Sequence, residues 1–303
     1  MAENNWQNFL KNIGEWRGSF TKISPQGEIL DSTLSIINLE GLEDNKLVKF
    51  RLRRFGGNSY DETPTQDYGQ EYRSLGRQII FFETGTFSKG SFQLAPFADF
   101  GSEFGFIEGD RRLRCVLLYD RQNELSSITL IREFRSGSNA QERPPLTLEQ
   151  LLGTWQGKAY TAYRDLRPTD KFETSLEVKK IDNNKIQQQL TFSGTTLTSS
   201  ASIEGNKLVF NSGDNPRQIL LLPDGSSTNA PLKLELRKPF FLEVGWLVNE
   251  KERQRLIRNY DATGAWIGST LVIEKKIDQR DSEYLSNDNY SWFIVHGSFS
   301  WRK

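Results

Sequence analysis

The pentapeptide Gly14-Glu15-Trp16-Arg17-Gly18 decides the fold of this chain, because a matching pentapeptide occurs again at Gly153-Thr154-Trp155-Gln156-Gly157. A short segment with apolar residues on one helical face precedes each copy, and strand-like segments follow it. Each tryptophan stands two residues after the glycine that ends the helical segment, where a large ring can plug the closed end of a barrel. We therefore interpret Gly14, Trp16, Gly153 and Trp155 as structural residues, each pair opening one copy of a small β-barrel.

Other matched motifs indicate that the whole chain is an internal duplication. Arg77-Gln78-Ile79 and Arg217-Gln218-Ile219 are separated by 140 residues, and Thr129-Leu130 and Thr270-Leu271 by 141. Chance matches would scatter over many spacings, so a nearly constant offset indicates two copies of one unit.

The segments within each copy read as short strands separated by turns, with no long helical periodicity. Residues 56–72 are polar and glycine-rich, which predicts a long loop over an open end of the first barrel. The predicted fold class is all-β, with two tandem antiparallel up-and-down barrels related by duplication.

We expect the first barrel to comprise residues 1–137 and the second to comprise residues 147–303. Residues 138–146 join them and have the composition of a linker. Thr147 and Gln150 form a capping-box pattern at the start of the second copy. Residues 290–303 have no counterpart in the first copy, and they predict an extra C-terminal strand that joins the second barrel or covers an edge between the two.

The composition argues against several kinds of site. The 39 basic and 39 acidic residues cancel, so no net field attracts nucleic acid. One histidine, His296, and one cysteine, Cys115, cannot supply a zinc site or a disulfide framework. Cys115 lies in an apolar strand, which favours a buried thiol over a reactive or pigment-attaching one. We expect no metal, no cofactor and no catalytic residue.

The sequence also predicts a cytoplasmic location. No apolar run approaches the roughly 18 residues that a membrane span requires, and the N-terminus lacks the pattern of a signal peptide. A single cysteine suits a reducing compartment.

The best candidate binding residues lie on two late strands of the second copy. Val244 and Trp246 share one face of the first strand, and Leu256, Arg258 and Tyr260 share one face of the next. If this face points inward, the barrel holds a cationic and a phenolic group among apolar walls. An anionic ligand with a large apolar body would balance that buried charge.

The first copy lacks the arginine of this set. Leu117 stands where the second copy has Arg258. We therefore expect the second barrel to bind a ligand and the first to be structural. The alternative is that Arg258 faces solvent or pairs with an internal carboxylate such as Glu243 or Glu274.

In these features the chain resembles the calycins. The Gly-x-Trp strand after a short helix is similar to the opening motif of lipocalins, in which an arginine of the last strand packs across the tryptophan. Arg132 and Arg302 are the two candidates for that arginine here. As a whole the chain resembles the DUF3598 family of cyanobacterial and plastid proteins, which implies two tandem lipocalin-like barrels.

A second resemblance concerns bilin chemistry. Gly153-Thr154-Trp155 and Arg258-Asn259-Tyr260 resemble motifs of the lipocalin-type phycobiliprotein lyases. That resemblance implies a barrel that holds an open-chain tetrapyrrole and delivers it to a cysteine of a phycobiliprotein.

Three functions remain open from the sequence. The first is non-catalytic binding of a hydrophobic or amphipathic small molecule, such as a pigment, a bilin, a fatty acid or an isoprenoid. The second is a lyase-like or chaperone-like action on phycobiliproteins, and the third is a protein-interaction module with filled barrels.

Overall fold

The computed structural model describes residues 4–165, 167–211 and 216–277, and these form an all-β protein with two short helices. The first repeat contains α1 (Asn5–Leu10), β1 (Gly14–Ile23), β2 (Ile29–Leu42), β3 (Leu47–Phe55), β4 (Gln66–Tyr72), β5 (Ile79–Phe81), β6 (Phe87–Gly90), β7 (Phe100–Glu108), β8 (Arg111–Tyr119) and β9 (Leu125–Arg135). The second repeat contains α2 (Leu148–Leu151), β10 (Gly153–Tyr163), β11 (Asp170–Asp182), β12 (Lys185–Phe192), β13 (Thr195–Glu204), β14 (Lys207–Phe210), β15 (Arg217–Leu222), β16 (Ser226–Ala230), β17 (Phe240–Asn249), β18 (Glu252–Tyr260) and β19 (Trp266–Ile277). Both helices in these ranges are far too short to span a membrane.

The second repeat closes and the first does not. Strands β10 to β19 pair in chain order, and β19 returns to β10 to complete an antiparallel barrel. The nine strands of the first repeat form a curled sheet in the order β4-β3-β2-β1-β9-β8-β7-β6-β5. Its edge strands, β4 and β5, are joined by residues 73–78, which form no strand. The prediction of two tandem barrels is confirmed, with the first one open on one side.

The long loop predicted over residues 56–72 is only partly correct. Its second half is β4, which pairs with β3 and places Asp67 beside Arg53 in the register. The polar composition of β4 misled the prediction, because six of its seven residues are solvent-exposed and none needs to be apolar. The predicted strand at 290–303 and His296 lie outside the described residues.

Each opening tryptophan plugs the closed end of its repeat. Trp16 and Trp155 are fully buried. The Arg135 guanidinium lies 4.3 Å from the centre of the Trp16 ring, and the Lys276 ammonium lies 5.3 Å from the centre of the Trp155 ring. Both cations come from the last strand of their repeat. A cation over an indole face is a favourable electrostatic contact.

Arg135, not Arg132, is therefore the arginine that packs across the opening tryptophan. Arg132 points to the other face of β9, where its Nη2 donates to Thr21 Oγ1 at 2.7 Å. Residue 302 lies outside the described ranges. Gly14 has a φ of +132°, and a Cβ there would lie 2.5 Å from Arg135 Nη1. Glycine is thus required where the last strand crosses the first.

The repeats pack against each other with approximate twofold symmetry. The Leu94 N–H donates to the Gly264 carbonyl at 2.8 Å, and at the matching positions the Leu234 N–H donates to the Asn123 carbonyl at 2.9 Å. One continuous apolar core joins the two repeats across this surface. The outer face of β15 to β19 is consequently as well buried as its inner face.

Candidate functional site

The five predicted ligand-binding residues lie between the repeats, not inside the barrel. All are fully or almost fully buried, and all belong to the apolar core that joins the repeats or contact it directly: Val244, Trp246, Leu256, Arg258 and Tyr260. The alternate residues of β18, among them Arg255 and Ile257, line the barrel interior instead. The expectation that the first set points inward is therefore wrong. Because strand residues alternate between faces, a reversed assignment moves every side chain to the other side.

Arg258 is held by neutral groups of the first repeat. Its Nη1 donates to Ser88 Oγ at 3.2 Å and to the Gln78 carbonyl at 3.3 Å, and its Nη2 donates to the Gly90 carbonyl at 3.2 Å. Its guanidinium also lies 3.9 Å from the centre of the Trp266 ring. Burial lowers the pKa of Arg258. Among the described residues no carboxylate pairs with it, so it neither faces solvent nor contacts Glu243 or Glu274.

Trp246 is another interface residue. Its Nε1 donates to the Asp224 carbonyl at 3.0 Å, and the guanidinium groups of Arg111 and Arg143 lie 5.0 and 5.3 Å from the centre of its ring. Arg111 comes from the first repeat and also binds the Asp224 carboxylate at 2.6 Å. Trp246 therefore reports on the contact between the repeats.

The second barrel contains a cavity of about 540 Å³ at its open end. The closed end is filled by a separate apolar cluster around Trp155. The walls of the cavity are mainly apolar and include Phe172, Leu190, Phe192, Phe241, Ile257 and Val272. Ligand pockets typically measure about 300–1,000 Å³ and have apolar walls with a few polar groups. This cavity fits that description.

A cluster of four charged side chains lies at the inner end of the cavity, where Glu243 and Arg255 line it and Glu274 and Arg253 continue the cluster toward Trp155. We call Arg253, Arg255, Glu243 and Glu274 the floor quartet. Arg255 binds Glu274 through Nε at 3.1 Å and Glu243 through Nη1 at 3.1 Å, while Arg253 binds Glu274 and lies 4.8 Å from the centre of the Trp155 ring. All four are buried or nearly so.

Burial and ion pairing shift the pKa of three members of the quartet, and for Arg253 burial prevails and lowers the pKa. Burial alone would raise the pKa of Glu274, but the charges of Arg253 and Arg255 outweigh it, and the pKa is lowered. Burial alone would lower the pKa of Arg255, but the two carboxylates raise it. Two guanidinium groups thus face two carboxylate groups, and the formal charges of the floor sum to zero.

The first repeat contains the same cluster at matching positions. Arg112, Arg114, Glu133 and Glu103 correspond to Arg253, Arg255, Glu274 and Glu243. Arg114 binds Glu133 at 3.0 Å and Glu103 at 2.8 Å. The cavity above this cluster measures only about 90 Å³, and side chains such as Phe81 and Phe87 occupy the space. The two repeats therefore share these four charged residues but differ in free volume, and the first repeat adds Lys89, which pairs with Glu103 at 2.7 Å where the second repeat has Asn229.

Sequence reasoning missed the floor quartet, although a signal was present. Arg112-x-Arg114 and Arg253-x-Arg255 are spaced by the offset that defines the duplication, as are Glu133 and Glu274. A charged residue kept at the same place in both copies of a barrel strand indicates an internal partner.

Cys115 is fully buried, as the apolar strand that contains it predicted, and burial raises the pKa of its thiol.

Two family models match the chain. One describes the N-terminal domain of DUF3598, a domain of unknown function, and matches residues 2–138. The other describes the C-terminal domain of biogenesis factor required for ATP synthase 1 and matches residues 142–277. A search of curated proteins found no significant match.

Two solved structures are similar to this chain. One is a DUF3598 protein of unknown function from Nostoc punctiforme, with 44% identity, a TM-score of 0.85, and coverage of 90% of this chain and 99% of that chain. The S-type phycobiliprotein lyase from Guillardia theta shows 10% identity, a TM-score of 0.35, and coverage of 43% of this chain and 90% of that chain. The similarity to the Nostoc punctiforme protein extends over both repeats at 44% identity. The chain belongs to the DUF3598 family.

Proposed function

We propose that this protein binds one hydrophobic or amphipathic small molecule in the lumen of its second barrel and does not transform it. The observation that carries the proposal is the cavity of about 540 Å³ with apolar walls above the floor quartet. Pigments, fatty acids and isoprenoids have apolar bodies suited to such walls, because removing apolar surface from water is favourable.

The polar groups of the lumen can form one or two hydrogen bonds with the ligand. Thr161 and Thr270 share a hydrogen bond of 2.8 Å at the cavity wall. Thr174 Oγ1 is buried and has no hydrogen-bond partner among the described residues. A buried hydroxyl without a partner is unfavourable, so a ligand group that reaches it gains affinity.

The lyase-like alternative has weaker support. Of the Arg258-Asn259-Tyr260 motif that carried the resemblance, only Asn259 lines the lumen, while Arg258 and Tyr260 hold the repeats together. The proposed function therefore rests on binding rather than on bilin transfer.

A titration with the neutral fluorophore N-phenylnaphthylamine tests the proposal. Ile257→Trp places an extra ring in the empty lumen, and Val116→Trp is the matched change in the first repeat. We expect saturable fluorescence enhancement with the native protein and with Val116→Trp, and affinity at least about tenfold lower with Ile257→Trp. Equal binding by all three proteins, or binding by none, would refute the proposal.

A second proposed function follows from the family model that matches residues 142–277. We propose that the protein assists the biogenesis of ATP synthase, as the name of that family describes for its members. The two functions are compatible, because an assembly factor can carry a bound small molecule. The test is affinity purification of the tagged full chain from its host, together with the amount of assembled ATP synthase after gene deletion. Normal enzyme levels after deletion would exclude this role.

A further inference from the structure

We infer that the ligand is an amphipath with one anionic group, which lies at the mouth of the second barrel while the apolar body points toward the floor. This inference rests on the proposed function. It concerns the chemical class and the orientation of the ligand, which the size of the cavity alone does not define.

The floor excludes a charged group at the inner end of the ligand. Both guanidinium groups of the floor quartet already bind carboxylates, and Arg255 binds two of them. A ligand carboxylate beside Glu243 would add a third negative charge to two positive ones in a buried site. Burying a charge without a partner is strongly unfavourable. The inner end of the ligand must therefore be neutral.

The mouth has the opposite character. Tyr163 lines the lumen and also lines a cleft of about 440 Å³ between the repeats. The cleft is lined by three arginines, Arg77, Arg164 and Arg167, and by one carboxylate, Asp165, while the hydroxyl of Tyr163 donates to Asp170 beside it. The lumen and this cationic cleft are therefore neighbours that share one side chain as a wall.

Two of the three arginines form no close ion pair among the described residues. Asp165 lies 3.9 Å from Arg167 and balances it. Arg164 contacts the Phe92 ring at 6.0 Å and lies near enough to Asp261 to help lower the pKa of that carboxyl, but neither Arg164 nor Arg77 has a carboxylate within 4.0 Å in the part of the chain that the structure describes. An anionic group at the mouth would gain two partly screened attractions.

The test uses three probes with the same carbon chain: dodecanol, dodecanoate and dodecanedioate. Each displaces N-phenylnaphthylamine from the native protein, from Arg77→Gln/Arg164→Gln, and from the control Lys46→Gln/Lys180→Gln. The control removes two exposed lysines that do not line the cleft. Titrations at about 50 mM and about 500 mM salt measure the electrostatic part of binding.

We expect dodecanoate to bind the native protein about three- to tenfold more tightly than dodecanol at low salt. The arginine variant and high salt each remove this difference, and the lysine control keeps it. Dodecanedioate, which must place one carboxylate at the floor, binds at least about tenfold more weakly than dodecanoate. Equal affinity for dodecanol and dodecanoate would overturn this inference and leave the proposed function standing. Failure of every probe to bind would refute the proposed function itself.

Discussion

Arg258 occupies the position in the second repeat that Leu117 occupies in the first, and both side chains are fully buried where the repeats meet. The nearby hydrogen bonds of Leu94 to Gly264 and of Leu234 to Asn123 follow the twofold relationship between the repeats, and this pair breaks it. Arg258 reaches across the interface to the backbone of Gln78 and Gly90, at the edge of the open sheet. Leu117 contributes only apolar contact. The arginine therefore fixes the edge that the first repeat leaves without a neighbouring strand.

Replacing Arg258 should weaken the fold and leave the lumen intact. Arg258→Met leaves the Gln78 and Gly90 carbonyls without a donor, which we expect to lower the free energy of unfolding by about 2–4 kcal/mol. Leu117→Met is the matched control and should cost less than about 1.5 kcal/mol. Chemical denaturation measures both values.

The same variant separates the interface from the binding site. N-phenylnaphthylamine should bind Arg258→Met with native affinity at a temperature where the variant is folded. A loss of probe binding in a folded Arg258→Met protein would place the binding site at the interface and contradict the assignment to the lumen.

Gly18 should be intolerant of any side chain. It lies where β1 crosses β9, and a Cβ there would lie 1.8 Å from the Arg132 carbonyl oxygen. We expect Gly18→Ala to lower the free energy of unfolding by more than about 3 kcal/mol, because two backbones would have to separate. Gly69→Ala is the control, since its Cβ would lie 3.6 Å from the nearest atom. Similar stability of the two variants would show that the strands are not in this close contact.

The charged cluster of the first repeat predicts a specific loss of stability in acid. Burial alone would raise the pKa of Glu103, but Lys89 and Arg114 outweigh it and lower the pKa to about 2, from 4.5. A carboxyl whose pKa is lower in the folded state stabilises the folded protein at any pH above the pKa that the same carboxyl has in the unfolded chain. The contribution, about 3 kcal/mol, is therefore complete above about pH 4.5 and disappears as the pH falls toward 2.

Denaturation at several pH values checks this prediction. Glu103→Gln should reduce stability at pH 7 and flatten the decline between about pH 4.5 and 2. Glu40→Gln is the control, because Glu40 is exposed and makes no ion pair in the described part of the chain. An unchanged pH profile in Glu103→Gln would show that Glu103 is not charged and paired in the folded protein.

The repeated motifs were sufficient to predict the architecture. Trp16 and Trp155 mark the start of each repeat, because each ring fills the closed end of its own barrel. Each indole N–H also donates to a backbone carbonyl four residues earlier in the chain. Thr147 and Gln150 form the predicted capping box, in which each side chain bonds the backbone of the other. Such features depend on residues close in sequence, so the sequence alone reveals them.

The orientation of β18 could not be predicted in the same way. A strand usually shows which face is buried by its apolar side, but both faces of β18 are buried here. The apolar Leu256 lies against the other repeat, while the charged Arg253 and Arg255 point into the barrel. This arrangement reverses the usual pattern of polar outside and apolar inside. It arises from the packing of the repeats, which depends on residues far apart in sequence.

The most direct test of the account is a crystal structure of the protein grown with dodecanoate. We predict electron density in the second barrel, with the hydrocarbon chain between Phe172, Phe192 and Ile257 and the carboxylate toward Arg77 and Arg164. An empty lumen with density beside Arg258 between the repeats, or with no bound dodecanoate at all, would contradict the claim that the second barrel is the binding site.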